Sequence, residues 1–488
     1  MGWKETAEPV LTRMPGVRRP EGHVPFKRKL GWTAGVLVLY FFLTNVTLWG
    51  MAGEGTDLFG QFRSILAGSQ GSLMHLGIGP IVTASIVLQL LGGADLLGLD
   101  TDDPRDQVLY QGLQKLLVVV MSAVTAFPMV FAGGFLPAGT IDIAGTSLSG
   151  TEVQTLMFLQ IFIGGILILF MDEIVSKWGV GSGVGLFIIA GVSQRLMGGF
   201  IGPNGFFATW IAIITGEQQL GSIVGGTGLQ VAVFGDGDLL ALFTTFLIFA
   251  VVVYAESVRV EIPLSHARVK GARGRFPVKL IYASVLPMIL VRALQANIQF
   301  AGRILRSQMG DSMPAWLGEY SVQGGSAQPT GGLFYFTAPV RTPDQWMWWL
   351  PGSTASAHPP WEILLRIGVD LTFMVIGGAI FAIFWVETTG MGPKDTAEQI
   401  HNSGMQIPGF RQNVGVIEKV MERYIPQVTV IGGALVGLLA VGANMLGTIG
   451  QVSGTGLLLT VSITYKIYEE IAEEQLMEMH PMMRQMFG

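Results

Sequence analysis

The chain has no cysteine, and only 13% of its 488 residues are charged, whereas 50% are hydrophobic. The absence of cysteine excludes disulfides, thiolate metal sites and cysteine nucleophiles. A soluble chain of this length would carry charge on about a quarter of its residues. The low charge and the repeated apolar runs of about 20 residues, each long enough to cross a bilayer, predict an all-α polytopic membrane protein.

Sequence motifs for chemistry are also scarce. The six histidines are scattered without metal-ligand spacing. The glycine-rich "VGSGVGLFI" at 180–188 has no strand before it and no Lys-Ser/Thr after it, which excludes a phosphate-binding loop. "GDGD" at 235–238 fits the Gly-x-Gly-Asp pattern of intramembrane aspartyl proteases, but no second carboxylate lies at a matching depth. We therefore predict no enzymatic activity, no catalytic residues, no cofactor and no metal.

Ten segments are predicted to cross the membrane, at 30–50, 73–93, 112–134, 153–172, 181–199, 239–258, 279–299, 364–386, 425–447 and 454–470. With the N-terminus inside, 22 of the 29 Lys and Arg residues fall on the cytoplasmic side, and the outer loop from 135 to 152 has none. This distribution follows the positive-inside rule and predicts that both termini are cytoplasmic.

The ten spans favour two inverted halves of five helices. The fifth and tenth spans begin alike, with "VGSGVGLFI" and with "VSGTGLLLT" at 452–460, and an odd number of spans per half gives the halves opposite orientation. Close helix packing would also explain these small residues. The predicted parts are a cytoplasmic arm at 1–29 with "PFKRKLGW" along the membrane surface, a first half at 30–200, an outer loop at 201–238, a second half at 239–470 with cytoplasmic loops at 259–278 and 387–424, and a cytoplasmic tail at 471–488.

A short amphipathic segment, "DLFGQFRSILAGSQ" at 57–70, lies between the first two spans. Its apolar residues have the spacing of one helical stripe: Leu58, Phe59, Phe62, Ile65 and Leu66. Gln61, Arg63 and Ser64 are predicted on the opposite face. Such a helix would be about 18 Å long, too short for a hydrocarbon core of about 30 Å. The segment is therefore predicted to lie beside the spans without crossing the membrane.

Polar residues interrupt the second and seventh predicted spans, where Thr83 and Asn297 stand among apolar neighbours and Arg292 is the one charge away from the span ends. Such groups usually face a bundle interior or a water-filled path. A secondary transporter with inverted repeats would need paired polar or acidic groups near the midplane. Arg292 and Asp370 are the available candidates, so a transporter is the alternative to a channel, and an intramembrane hydrolase lacks its catalytic pair.

The loop between the sixth and seventh spans concentrates basic charge at its tip. Four of the eight residues from 268 to 275 are Lys or Arg, and two are glycine. The positive-inside rule explains basic charge here but not its concentration. A flexible basic tip of this kind can contact RNA phosphates or an acidic protein surface.

Four segments resemble the SecY family, the large subunit of the protein-conducting channel, most closely in its archaeal form. They are "LGIGPIVTASIVLQLL" at 76–91, "VVVYAESVRVEIPLSHARVKGARG" at 251–274, "IFWVETTGMGPK" at 383–394 and "GTGLLLTVSITYKIYEE" at 454–470. The resemblance implies two halves around an hourglass pore, with 57–70 as a re-entrant plug helix. It implies passage of unfolded secretory polypeptides and sideways release of transmembrane segments through a gate between spans 2 and 7.

The resemblance also implies roles for individual residues. The expected pore ring is Ile78, Val82, Val184, Ile188, Ile289 and Leu459. The expected lateral-gate positions are Thr83, Thr125 and Asn297, where Thr125 replaces the acidic or amide residue frequent in the family. Arg292 departs from the small apolar residue expected there, and our hypothesis is that it faces the pore or gate. The expected contacts with a ribosome or targeting factor are Arg268, Lys270, Arg273, Arg275 and Arg411.

Partners and location follow from the same resemblance. The implied partners are a SecE-like (gamma) subunit, a small beta subunit, the ribosome and its nascent chain, the signal-recognition receptor, secretory and membrane-protein substrates, and the lipid bilayer. The implied location is the cell (plasma) membrane. Arg outnumbers Lys 19 to 10, which suggests a salt-loving source, although base composition can produce the same bias.

Overall fold

The computed structural model describes residues 3–22, 24–53, 62–93, 97–99, 103–132, 135–143, 146–203, 205–216, 227–234, 237–266, 273–279, 286–323, 326–350, 353–402, 405–406 and 413–479. The helices in this part of the chain are α1 (Trp3–Leu11), α2 (Phe26–Asn45), α3 (Arg63–Leu66), α4 (Gly79–Gly93), α5 (Pro104–Phe131), α6 (Thr151–Trp178), α7 (Gly183–Ile201), α8 (Phe206–Thr215), α9 (Thr227–Phe234), α10 (Leu239–Ser257), α11 (Leu286–Met309), α12 (Gly332–Phe336), α13 (Pro360–Thr388), α14 (Pro393–Asn402), α15 (Val414–Leu446) and α16 (Gly454–Met479). The strands are β1 (Ile141–Ile143), β2 (Thr146–Leu148), β3 (Arg259–His266), β4 (Arg273–Lys279), β5 (Glu319–Gln323), β6 (Ser326–Gly331) and β7 (Met405–Gln406).

The predicted all-α membrane architecture is confirmed. The helices α2, α4, α5, α6, α7, α10, α11, α13, α15 and α16 each overlap one of the ten predicted spans. Among the described residues, six helical segments are long and apolar enough to cross a membrane, and α4 is a shorter apolar helix. The helix α11 is more polar because it carries Arg292, Gln295 and Gln299, which the fold buries in its interior.

The two halves meet through the helices whose first residues look alike. Both α7 and α16 begin at a glycine that directly follows a serine, Ser182 in one case and Ser453 in the other. The two helices pack against each other. An added Cβ on Gly185 would come within 2.9 Å of Ile463, so the small residues permit this close approach.

Several predicted loops contain regular structure. The outer loop predicted at 201–238 includes α8 and α9, and the cytoplasmic loop at 259–278 forms the β3–β4 hairpin, to which β7 adds a third strand. The loop predicted at 387–424 holds α14 and the start of α15, while α16 continues into the predicted tail. The segment "PFKRKLGW" runs directly into the first span, because α2 already begins at Phe26.

The N-terminal arm contacts the start of α5 and the end of α6. Lys4 pairs with Asp106 at 2.6 Å, and Arg105 pairs with Glu8 at 2.5 Å. Further along the arm, the backbone N–H of Val17 donates to Glu173 at 2.8 Å. These contacts place the arm at the end of the first half where α5 begins and α6 ends.

Candidate functional site

The six residues of the expected ring occupy one apolar cluster at the centre of the fold. Ile78 directly precedes α4, Val82 lies on it, Val184 and Ile188 lie on α7, Ile289 on α11 and Leu459 on α16. Five of them are at most 3% exposed, and Val184 is partly buried against the same cluster. Both halves therefore contribute branched aliphatic side chains to one apolar cluster. We refer to these six residues as the aliphatic ring.

The described part of the plug segment, 62–70, packs against this ring. Ile65 belongs to the same apolar cluster, while Phe62 and Leu66 belong to a second apolar cluster. The backbone N–H of Ile78 donates to Leu66 O at 2.7 Å, which joins a ring residue directly to the plug segment. Tyr40 Oη donates to Ala67 O at 2.7 Å from the other side.

The described part of the plug segment is less helical and more enclosed than an amphipathic surface helix. Its helix, α3, is four residues long, and Leu58, Phe59 and Gln61 lie outside the described residues. Arg63, predicted opposite the apolar stripe, is 3% exposed and donates to His75 O at 3.0 Å. The surrounding protein therefore encloses the segment on more than its apolar side.

The expected gate helices are joined by a hydrogen bond. Asn297 Nδ2 on α11 donates to Thr83 Oγ1 on α4 at 3.1 Å. Thr125 on α5 is partly buried, and within the described part of the chain it donates to neither residue and accepts from neither. The structure therefore brings together two of the three expected gate positions.

A buried polar network surrounds Arg292, which is 1% exposed. Its Nη1 donates to Asp370 Oδ1 at 3.2 Å and to Gln295 Oε1 at 2.5 Å, and its Nε donates to Thr455 at 3.2 Å. Val340 N donates to the other Asp370 oxygen at 3.4 Å. This network ties together α11, α13, α16 and the outer loop between α12 and α13. That Arg292 faces the pore or gate stays a hypothesis.

Sequence reasoning named Arg292 and Asp370 but missed their pairing. The sequence offered one signal for this pairing, because two apolar spans contain charged residues of opposite sign and charges at membrane depth usually pair. Because Asp370 is occupied by Arg292, Gln295 and Val340, it forms neither a transporter's substrate group nor half of a protease dyad. Within the described residues, no group of His, Asp and Glu could hold a metal ion.

The basic loop is a hairpin in which β3 pairs antiparallel with β4. Arg273 pairs in register with Ser265, and Arg275 with Pro263. Arg268 and Lys270, at the turn, and Arg411, in the next cytoplasmic loop, lie outside the described residues. The role of these five residues stays a prediction.

Comparison with known proteins identifies the family. The family model described as SecY matches residues 72–468, and the one described as the plug domain of Sec61p matches residues 38–71. The chain is 72% identical to protein translocase subunit SecY of Haloarcula marismortui over 100% of both chains. It is 49% identical to that of Archaeoglobus fulgidus over 99% of this chain and 98% of the relative.

Solved structures identify the same family. One described as a protein-conducting channel superposes with a TM-score of 0.79 at 37% identity, over 97% of this chain and 98% of the other. Sec61 in the canine ribosome-channel complex from the endoplasmic reticulum gives a TM-score of 0.77 at 37% identity, again over 97% and 98%. The chain therefore belongs to the SecY family and is the pore-forming subunit of a protein translocase.

Proposed function

We propose that unfolded secretory polypeptides cross the membrane through the aliphatic ring and that the plug segment closes this path in the resting state. The observation that carries the proposal is the packing of Ile65 into the same apolar cluster as the ring. In addition, the backbone N–H of Ile78 donates a hydrogen bond to Leu66 O. Branched aliphatic side chains can yield around a passing chain without recognising its sequence. When closed, they exclude water and hence ions.

We propose that the contact between α4 and α11 is the lateral gate. The hydrogen bond from Asn297 to Thr83 joins the two halves. A signal sequence shifts the gate to its open state only if it binds that state better than the closed one. An apolar signal helix can do so by packing between α4 and α11, and the same opening would release transmembrane segments into lipid.

Partners and location extend the proposal. A ribosome-bound relative supports docking of the ribosome and its nascent chain on two cytoplasmic loops. The contacts would be Arg268, Lys270, Arg273 and Arg275 in the β3–β4 loop, and Arg411 in the loop that precedes α15. Resemblance to the family supports a SecE-like subunit, a small beta subunit and a signal-recognition receptor as partners. The basic cytoplasmic loops support a location in the plasma membrane with both termini cytoplasmic.

A reversible crosslink between α4 and α11 tests the proposal. The chain has no cysteine, so Thr83→Cys and Asn297→Cys introduce the sole pair of thiols for a short, reducible crosslinker. We expect the crosslinked channel in proteoliposomes to stop transporting a secretory substrate, and reduction to restore transport. Each single variant treated with the same reagent is the control. Full transport by the crosslinked channel would contradict a gate at this position.

A further inference from the structure

Positive charge is concentrated where the plug segment meets the outer loop of the second half. Cζ of Arg341, in the outer loop, lies 5.1 Å from the centre of the Phe62 ring, a cation–π distance. The pKa of Arg341 lies well below its usual range. The largest cause is burial, followed by the positive charge of Arg292 and by those of Arg303 and Arg195, whereas the negative charge of Asp370 raises this pKa. Several guanidinium groups therefore surround one carboxylate.

Nε of Arg341 and Nη2 of Arg292 have no hydrogen-bond acceptor among the described residues, and both atoms are inaccessible to solvent. The nearby carboxylate of Asp370 is already engaged. Its Oδ1 accepts from Arg292 Nη1 and Gln295, and its Oδ2 accepts from Val340 N. Asp370 balances one guanidinium, so Arg341, Arg292 and Asp370 together carry a net charge of one positive unit.

This charge cannot be relieved by losing a proton, because a guanidinium stays protonated in proteins. A buried cation without a counter-charge, and a buried N–H without an acceptor, are both unfavourable. A single monovalent anion between the two arginines would accept from both of these N–H groups and balance the net charge of Arg341, Arg292 and Asp370. The Arg341 guanidinium lies over the Phe62 ring, so one face of the guanidinium is covered, whereas its N–H groups lie in the guanidinium plane.

We propose that Arg341 and Arg292, closed over by Phe62 of the plug segment, form a binding site for a small inorganic anion of the halide type, such as chloride. Because Phe62 lies on the plug segment and both arginines lie in the second half, the site is complete only when the plug is seated. The anion therefore binds the closed channel better than the open one and stabilises it by mass action.

Two measurements on the purified full-length chain test the site. In the first, the thermal unfolding midpoint is compared in sodium chloride and in sodium gluconate of equal ionic strength, because gluconate is too large for the site. We expect a higher midpoint in chloride, loss of this difference in Arg341→Gln, and its retention in Arg306→Gln. Arg306 lies on the same helix, α11, but donates to Gly310 O.

In the second measurement, bromide replaces chloride in crystals of the unmodified chain, and its anomalous signal locates the ion. We expect a peak within hydrogen-bonding distance of Arg341 Nε and Arg292 Nη2. Absence of this peak would overturn the proposal even if Arg341→Gln fails to fold. Equal chloride-dependent shifts in Arg341→Gln and the unmodified chain would overturn it as well.

Discussion

Asn297 on α11 donates a hydrogen bond of 3.1 Å to Thr83 on α4. The two residues are 214 positions apart in sequence and belong to opposite halves of the fold. A single neutral hydrogen bond between two helices is easily exchanged for contacts with an entering signal sequence. This bond is therefore suited to hold the proposed gate closed without preventing its opening.

Replacing Thr83 by Val removes the acceptor while keeping the shape of the side chain. A net hydrogen bond contributes about 0.5–1.5 kcal/mol, so we expect the closed state to be favoured about two- to tenfold less. Export of a substrate with a weakened signal sequence should become correspondingly faster. Thr372→Val is the control, since the Thr372 hydroxyl donates to Gly368 O within its own helix. Equal export by both variants would count against a gating role for the bond.

Gly77 permits the close approach of the plug segment to the start of α4. Its φ is +55°, and an added Cβ would lie 2.1 Å from Leu66 O. We expect Gly77→Ala to displace the plug segment and to raise the ion conductance of the resting channel in planar bilayers. Gly98→Ala is a matched control, because Gly98 also has a φ of +55° but has open space around it. If both variants showed a leak of similar size, the effect would come from backbone strain alone and not from the displaced plug segment.

Breaking the Arg292–Asp370 pair should destabilise the second half. Asp370→Leu leaves a buried guanidinium without its carboxylate, and such losses cost about 3–5 kcal/mol. The double variant Arg292→Met/Asp370→Leu removes both charges and should recover much of this loss. Denaturant unfolding of the purified single and double variants measures the coupling. Additive losses in the double variant would show that the two charges do not stabilise each other.

The sequence predicted most of the fold because each span carries a long apolar run, whereas the six residues of the aliphatic ring were named by resemblance to the SecY family. It could not predict that 201–238 contains α8 and α9, or that Arg63 is buried. Burial of Arg63 depends on His75 and on the surrounding helices, which are tertiary contacts. The hydrogen-bond network of Arg292 could not be predicted either, because its pairing with Asp370 depends on the relative orientation of α11 and α13 in the fold.

The basic hairpin offers a test of partner binding. We expect Arg273→Gln/Arg275→Gln to reduce co-pelleting of the channel with ribosomes at physiological salt, because cationic contacts with phosphates are salt-dependent. Arg13→Gln/Arg18→Gln removes the same charge from the exposed N-terminal arm and serves as the control. Undiminished pelleting of the hairpin variant at low and at physiological salt would exclude these two arginines as ribosome contacts.

The central claim is that a polypeptide passes through the aliphatic ring and past the plug segment. The most direct measurement places single cysteines at Ile188 and at Phe62, in separate variants of this cysteine-free chain, and one cysteine in a secretory substrate arrested during transfer. Thr140→Cys, at an exposed position of the outer loop, is the comparison. The account predicts disulfide crosslinks to the substrate at positions 188 and 62 and none at 140. An engaged substrate that crosslinks to neither 188 nor 62 would contradict the account.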